Sequence, residues 1–465
     1  LCSTTQKGEL WVSLIEKAYM KLCGGYDFPG SNSGVDLFCL TGWIPERIFF
    51  PKNPDKVKDH ETPAERVWER LYGASSYGDC LITMSTSTDI QDSVAERVGL
   101  VTGHAYAVLA VQETSQGVRL LQLKNPWAHK SWKGKYSSRD RKNWTTVLCH
   151  EIGYNPELAA KHDDGVFWIS WDDILVYFQN VHLSWNPELF SHRTTVHGYW
   201  KVSQGPAVDT FNVGDNPQYI INFSEETIKN KPSVWILLSR HVTKQEQEGM
   251  EVNDYLTVHL YRNLKGKGRS RIWYPSSKTC VFTGAYTNNP HVLIRYDLVD
   301  SQDKHLSLVL SQYKKSHDLG YTLSCFCTSP FTLGRPEEDL PVRMPITGRW
   351  VPETSGGPPS SSTFGINPQW CVTVPKETKI QLRMKARQTF AINCMMVLSD
   401  GNRIHRLHEE PIIDSGNYRH GFAVAETATV PPGNYTLICS SFETGISSVF
   451  SLDLFSSTRL RVAQI

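Results

Sequence analysis

The chain has 465 residues, with 48 Lys and Arg against 47 Asp and Glu and a formal net charge of +1. This length predicts two to four domains rather than a single core. The balanced charge argues against a general nucleic-acid binder, and no apolar run reaches the 18 residues that a membrane-spanning helix needs. With 40% apolar residues and 14 Trp, the composition is typical of a well-packed, β-rich globular protein.

The start of the chain and its cysteines bear on its processing and its compartment. The first residue is Leu rather than Met, and no signal-peptide pattern follows it. We therefore expect the sequence to be part of a longer protein. The 11 cysteines are scattered and form no C-x-x-C pair, which favours reduced intracellular thiols over a secreted disulfide framework.

The first elements in chain order are helical or loop-like. Apolar residues recur at three- and four-residue steps over residues 9–22, and Gly24-Gly25 follows, which predicts a helix that ends there. Residues 26–50 are rich in Gly, Pro, Ser and Asn and predict a loop. A polar stretch over 52–61 precedes a short helix expected around residues 64–72.

From residue 79 onward strands dominate the prediction. Short β segments are expected over 81–84, 104–112, 117–123 and 166–170, with a short helix or turn over 172–179. This mixed region ends near Trp185. Beyond it the pattern is almost wholly β: alternating apolar residues separated by turn residues.

The β region contains an internal repeat. Gly198-Tyr199-Trp200 is followed 16 residues later by Asn216-Pro217-Gln218-Tyr219, and Gly348-Arg349-Trp350 is followed 17 residues later by Asn367-Pro368-Gln369-Trp370. Two units of roughly 130 to 150 residues with short alternating strands predict two β-sandwiches. Pro-rich residues 335–345 form the expected junction.

A histidine and an asparagine mark the candidate chemistry. His104 opens one predicted strand, and Asn125 closes the next one along the chain. Two adjacent antiparallel strands would place both side chains at one end of a sheet. A thiol protease needs an imidazole to take the thiol proton and an amide oxygen to orient that imidazole. Trp127 could cover their contact, although a packed Trp in a strand-ending turn is the alternative.

Several continuous motifs resemble the second half of a calpain protease core. They include Gly-His-Ala-Tyr-Ala-Val at 103–108, Lys-Asn-Pro-Trp at 124–127, Trp-Lys-Gly at 132–134 and Asp-Gly-Val-Phe-Trp-Ile-Ser-Trp at 164–171. The segments 24–33 and 40–47 are most similar to the calpain-seven or PalB-type subfamily. That subfamily ends in two calpain-type β-sandwiches, in agreement with the repeat.

The resemblance implies an α+β fold, namely the second half of a papain-like calpain protease core followed by two tandem antiparallel β-sandwiches. The corresponding domains are 1–190, 191–335 and 336–465. It further implies a cysteine-type endopeptidase in which His104 is the general base and Asn125 orients it. The expected partners are protein substrates and endosomal sorting proteins, in the cytoplasm with or without recruitment to endosomal membranes.

The nucleophile departs from the family pattern. In the family the nucleophilic Cys opens a helix that precedes residues 9–22. Cys2 lies in the wrong segment, and Cys23 stands at a helix end, where the dipole disfavours a thiolate. We therefore expect the chain as written to be inactive or nearly so, since loss of one triad member costs on the order of 10⁴- to 10⁶-fold in rate.

Calcium ligands are a second departure. Residues 128–135 contain three lysines and no carboxylate, and Val166 follows Asp164-Gly165 where an acid is expected. Because Ca²⁺ takes six to eight oxygen ligands, we expect no metal site and no other cofactor in this half. Four acidic residues, Glu246, Glu248, Glu251 and Asp254, are interpreted as a solvated hairpin rather than an acidic binding loop.

Two other functions are consistent with the residues. The chain could be a non-catalytic interaction protein that binds through its β-sandwiches and retains His104 as a vestige. It could also be a transglutaminase-like enzyme, although that family favours Asp over Asn as the orienting residue.

Overall fold

The computed structural model describes residues 8–26, 31–52, 62–128, 130–161, 164–203, 205–206, 208–243, 246, 253–264 and 269–465. Outside the described residues lie Cys2, residues 27–30, residues 53–61 of the predicted polar stretch 52–61, His129, Glu248 and Glu251. Among the described helices, none combines the length and the apolar character needed to cross a membrane. All strand pairs are antiparallel and helices accompany the first sheet, in agreement with the predicted α+β class.

The N-terminal region is built on one six-stranded antiparallel sheet, with the strand order β1-β6-β2-β3-β4-β5. Its elements are α1 (Trp11–Leu22), α2 (Ser33–Thr41), β1 (Ile44–Phe49), α3 (Ala64–Ser76), β2 (Cys80–Thr86), α4 (Asp92–Val98), β3 (Ala105–Glu113), β4 (Arg119–Lys124), α5 (Thr146–Ile152), α6 (Pro156–Ala159), β5 (Val166–Ser170), α7 (Trp171–Tyr177) and β6 (Phe178–Trp185).

The core of this region lies between the sheet and helices α3 and α7. It unites apolar side chains of the strands with one face of α3, whose Val67, Trp68 and Leu71 are at most 1% exposed. Burying a side chain of this size stabilises the fold by about 1.5–3 kcal/mol. Helix α1 differs, because none of its residues is buried.

The prediction of a loop over residues 26–50 is wrong over 33–41 and 44–49, which form α2 and β1. Asn32 caps α2 by accepting a hydrogen bond from Val35 N at 3.1 Å, and β1 follows directly. Pro45 is tolerated in β1 because this strand lies at the edge of the sheet, where a missing N–H costs no ladder bond. The prediction over 172–179 was partly right, since α7 ends at Tyr177 and the next strand begins at Phe178.

A four-stranded sheet and a five-stranded sheet follow, with the strand orders β12-β9-β14-β7 and β11-β10-β13-β8-β15. Their elements are β7 (His192–Trp200), β8 (Gln218–Phe223), α8 (Glu225–Lys229), β9 (Ser233–Arg240), β10 (Tyr255–Arg262), β11 (Cys280–Thr283), β12 (His291–Asp297), β13 (His305–Tyr313), β14 (Leu319–Cys327) and β15 (Phe331–Gly334). One buried cluster draws side chains from both sheets, among them Ile236, Leu323, Val258 and Leu308. We call these two sheets the first sheet pair.

A second sheet pair completes the chain, with orders β16-β24-β18-β22 and β20-β19-β23-β17-β25, where β21 also pairs with β19. Its strands are β16 (Val342–Trp350), β17 (Gln369–Val374), β18 (Thr378–Ala386), β19 (Ala391–Leu398), β20 (Ile413–Asp414), β21 (Arg419–His420), β22 (Phe422–Val430), β23 (Gly433–Ser441), β24 (Ser448–Ser456) and β25 (Arg461–Gln464). Its core also joins both sheets, for example through Leu382, Leu452, Met396 and Leu437.

The repeated motifs occupy equivalent places in the two pairs. Trp200 and Trp350 are each 1% exposed, and their indole N–H groups donate at 3.1 Å to Leu310 O and Cys439 O. Gln218 and Gln369 each hold a loop by exchanging hydrogen bonds with its backbone. The repeat seen in the sequence is therefore a repeat of hydrogen-bonding positions as well.

A buried carboxylate joins the first sheet to the first sheet pair. Glu46 of β1, 8% exposed, accepts hydrogen bonds from Arg70 of α3 at 2.7 Å and from the Trp185 indole at 2.7 Å. Its second oxygen lies 3.0 Å from the guanidinium of Arg295 on β12. Beside it, Ile44 packs with Phe190 and with side chains of the first sheet pair.

Candidate active site

Adjacent strands bring His104 and Asn125 together, as their spacing predicted. Strands β3 and β4 pair antiparallel, with Ala107 opposite Lys124. His104 directly precedes β3 and Asn125 directly follows β4, so both lie at one edge of the sheet. Gly103 before the histidine has φ +57°, a left-handed conformation that glycine adopts without strain.

The backbone of His104 is anchored to the neighbouring strand β2. Its N–H donates to the hydroxyl of Thr86 at 2.9 Å, and its carbonyl accepts from Thr86 N at 3.0 Å. Thr86 is 1% exposed. The sequence carried no signal for this anchoring residue, because a threonine at a strand end is common.

The Asn125 side chain is 0% exposed and forms three hydrogen bonds with described residues. Its Oδ1 lies 3.0 Å from His104 Nε2 and accepts from Trp127 N at 3.1 Å. Its Nδ2 donates to Lys130 O at 3.0 Å. Because the backbone partners fix which amide atom is the oxygen, Nε2 of His104 must be the protonated ring nitrogen.

This tautomer leaves the other ring nitrogen, Nδ1, as a free proton acceptor. No described residue forms a hydrogen bond with it. The arrangement therefore presents a neutral imidazole whose basic nitrogen is available to an incoming acidic group. Burial lowers the pKa of His104 below its usual value, while the hydrogen bond with Asn125 acts in the opposite direction. The neutral, proton-accepting form is thus favoured at neutral pH.

A glycine makes room for the asparagine. The Asn125 N–H donates to Gly165 O at 3.0 Å, and a Cβ at Gly165 would lie 2.7 Å from Asn125 O. Gly165 also has φ +77°. Both facts explain the Asp-Gly step at 164–165, where Asp164 Oδ1 accepts from Val166 N at 3.0 Å.

Two aromatic rings flank the imidazole. The Trp127 ring lies against His104, with centroids 4.2 Å apart and a tilt of 43°, although 61% of this residue is exposed. Tyr106 packs edge-on against His104, with a centroid distance of 5.2 Å. The rings limit the directions from which water can reach the hydrogen bond between His104 and Asn125.

The thiols in the described part of the chain form no hydrogen bond with this imidazole. Ten cysteines are described, all of them free, and none forms a hydrogen bond with His104. Cys23 is the C-cap of α1, the helix end that disfavours a thiolate. Burial raises the pKa of Cys23 and Cys39, and that of Cys80 to about 12. These groups are therefore thiols rather than thiolates at neutral pH.

The loop that follows Asn125 is basic. Lys130, Lys133 and Lys135 all lie in it and are exposed, and no cluster of three acidic, His or Cys ligands occurs among the described residues. The expectation that this half binds no calcium stays a prediction.

Comparisons with known proteins point to one family. Residues 1–184 match the family described as calpain family cysteine protease. Calpain-7 of Homo sapiens is 36% identical over 467 residues, which cover 100% of this chain and 56% of that protein. Calpain-like protease palB/RIM13 of Aspergillus oryzae is 33% identical over 443 residues, covering 93% and 48%. Calpain-like protease palB of Emericella nidulans is 30% identical over 461 residues, covering 98% and 50%.

The chain spans about half the length of these curated relatives. The similarity extends along the whole chain, including both sheet pairs, whereas the protease family match covers the region of the first sheet. Residues 1–184 therefore form a calpain-family cysteine protease domain, and the whole chain is homologous to the calpain-7 and PalB-type calpain-like proteases.

Proposed function

We propose that the chain carries the histidine–asparagine half of a calpain-type cysteine endopeptidase centre. The observation that supports this best is the 3.0 Å contact between His104 Nε2 and Asn125 Oδ1, together with the free Nδ1. His104 would be the general base and later the general acid, and Asn125 would hold its tautomer and orientation. Trp127 would shield their hydrogen bond.

The proposed reaction begins when His104 Nδ1 takes the proton of a cysteine thiol. The sulfur attacks the peptide carbonyl carbon, the imidazolium returns the proton to the leaving amine, and an acyl-enzyme thioester remains. Water then hydrolyses the thioester, with His104 again accepting a proton. No described cysteine forms a hydrogen bond with His104, and the family resemblance implies a nucleophile on a helix that precedes residues 9–22. We therefore propose that the thiol comes from polypeptide outside this sequence, and that the chain alone has little or no peptidase activity.

We further propose three domains with boundaries at 1–190, 191–335 and 336–465. The first would be the second subdomain of a papain-like calpain core, and the others calpain-type β-sandwiches. Support comes from the three sheet groups, each with its own buried cluster. Protein substrates, endosomal sorting partners and a cytoplasmic location follow from the resemblance and stay predictions. The non-catalytic alternative is not favoured by the family match.

The test is His104→Ala in the full-length protein. We expect peptidase activity to fall by at least about 10³-fold, as for other catalytic bases, while the circular dichroism spectrum and the unfolding midpoint stay close to wild type. His150→Ala is the matched control, because His150 is an exposed histidine in the last turn of α5 and has no role in the proposed reaction. Unchanged turnover in the His104 variant would remove this residue from the mechanism.

A further inference from the structure

A cavity of about 1040 Å³ lies between the first sheet and the first sheet pair, away from the candidate active site. One wall is formed by the start of α2 together with Arg47 of β1 and His182 of β6. The facing wall is formed by β12 with His291 and Arg295. The proposed peptidase chemistry uses none of these groups.

His182 is buried without a partner. It is 2% exposed, and its imidazole makes no hydrogen bond with any described residue. Its Nδ1 faces the first turn of α2, since a Cβ added at Gly34 would lie 2.8 Å from that nitrogen. Buried polar side chains are hydrogen-bonded in the large majority of cases, because leaving one unpaired destabilises the fold. A ligand in the cavity would therefore supply the hydrogen bond that this imidazole lacks.

Arg47 lies opposite His182 in the pairing of β1 with β6. Its guanidinium stacks 4.4 Å from the centroid of the Phe49 ring, and no carboxylate among the described residues pairs with it. Arg47 is an exposed residue; partial desolvation of its guanidinium lowers its pKa, but a guanidinium remains charged at neutral pH. A cation thus borders the cavity without a counter-ion from the described chain.

The second histidine of the cavity is also unsatisfied. His291 Nδ1 lies 2.9 Å from the Ser239 hydroxyl, whereas its Nε2 is buried and has no partner. Phe38, one turn after Gly34 on α2, packs on the His291 ring with centroids 4.4 Å apart. The two imidazoles therefore face successive turns of one helix.

The start of α2 adds N–H donors at the same place. This helix has nine residues, and its Asn32 cap satisfies the N–H of Val35. The N–H groups of Ser33 and Gly34 have no carbonyl partner within the helix, and the helix dipole favours an anion at this end. Glu46 also borders the cavity, but Arg70 and Arg295 already neutralise its carboxylate.

We propose that this cavity binds an anion of the phosphate class, held by the Arg47 guanidinium, the His182 imidazole and the first turn of α2. A phosphate group suits this set better than a carboxylate, because it offers more acceptor oxygens to donors on several sides. The cavity volume exceeds that of phosphate, so an organic group can extend from the anion toward β12. Such a ligand would connect the first sheet to the first sheet pair.

The test uses the 465-residue chain and needs no peptidase activity, so it stands apart from the proposed function. Inorganic phosphate and glycerol 3-phosphate are titrated by calorimetry at constant ionic strength, with sodium chloride as the reference salt. We expect saturable binding of at least one of them, weakened at least tenfold in Arg47→Gln. Arg141→Gln is the matched control, because Arg141 pairs only with exposed Glu157 at the surface.

Gly34→Ala provides a second variant that keeps every charge. Its new methyl group would press against His182 and close the anion position, so we expect a similar loss of binding. If Arg47→Gln fails to fold, this variant and the shift of the His182 ring resonance on adding phosphate decide the matter. If glycerol 3-phosphate binds more tightly than inorganic phosphate, the site is assigned to an organic phosphate. If the two bind equally, the site is assigned to inorganic phosphate. No saturable binding, or equal loss in Arg141→Gln, would overturn the proposal.

Discussion

Replacing Asn125 by Asp would test the assigned tautomer of His104 directly. The change exchanges one nitrogen for oxygen in a side chain that has no exposed surface. The carboxylate keeps an acceptor for His104 Nε2 and for Trp127 N, but it loses the N–H that donates to Lys130 O. His104 would then have a negative neighbour at 3.0 Å in place of a neutral amide.

The expected effect is an inversion of the pKa shift of His104. In the wild type, burial is the main cause and lowers this pKa below 6.5. An opposite charge at hydrogen-bonding distance raises a histidine pKa by about 1–3 units, which corresponds to about 1.4–4 kcal/mol. We therefore expect the pKa of His104 above 6.5 in the variant. The unpartnered Lys130 carbonyl should lower the free energy of unfolding by about 1–3 kcal/mol.

The measurement is a pH titration of the histidine Cε1–H resonances by NMR, with His104→Gln to assign the signal. Asn155→Asp is the control, because Asn155 caps α6 at the surface and Asp caps equally well. A wild-type His104 pKa above 6.5, or an Asn125→Asp variant with an unchanged pKa, would refute the assignment.

Three further predictions concern other parts of the molecule. Burial and Arg47 hold the pKa of His182 at about 4, so the neutral histidine contributes its full stability above pH 6.5 and progressively less as the pH falls toward 4. In urea unfolding, His182→Gln should make the decrease in the free energy of unfolding between pH 7 and pH 4.5 smaller by roughly 2–3 kcal/mol. An unchanged pH dependence of the free energy of unfolding would contradict this. Leu71→Ala should lower the free energy of unfolding by about 2–5 kcal/mol and Leu14→Ala by less than about 0.5 kcal/mol, because Leu71 is 0% and Leu14 62% exposed; equal losses would show that the α1 face is covered. In the full-length protein, peptidase activity should survive chelation of calcium; abolition by a chelator with recovery only on adding calcium would show that the basic loop does not exclude such a site.

Local patterns predicted the site geometry well because strand adjacency follows from short spacing. His104 and Asn125 are joined by one hairpin of β3 and β4, so their meeting requires no long-range information. Gly103 likewise indicated a turn in the sequence, and its positive φ in the structure agrees with that prediction. Thr86 could not be predicted as an anchor, because its contact with His104 depends on how β2 pairs with β3.

Strand β6 shows a feature that the sequence pattern could not predict, namely the burial of its polar face. Its residues Asn180, His182 and Ser184 are polar and alternate with apolar ones, the pattern of a strand with one solvated face. All three are at most 2% exposed, because α2 and the first sheet pair cover that face of the sheet. Sequence pattern reports polarity, whereas the covering element lies far away in the chain. The same covering segment was predicted to be a loop because of its Gly and Pro content.

The Glu46 contact has a practical consequence for dissecting this protein. A polypeptide that stops at residue 190 would lose Arg295 and uncover Ile44, which is 0% exposed in the intact chain. The fragment would expose an apolar surface next to Glu46, which would keep only one of its two arginine partners. Exposed apolar surface of this kind promotes aggregation. Expressed fragments meant to report on the histidine should therefore extend to about residue 335, so that insolubility is not mistaken for lack of activity.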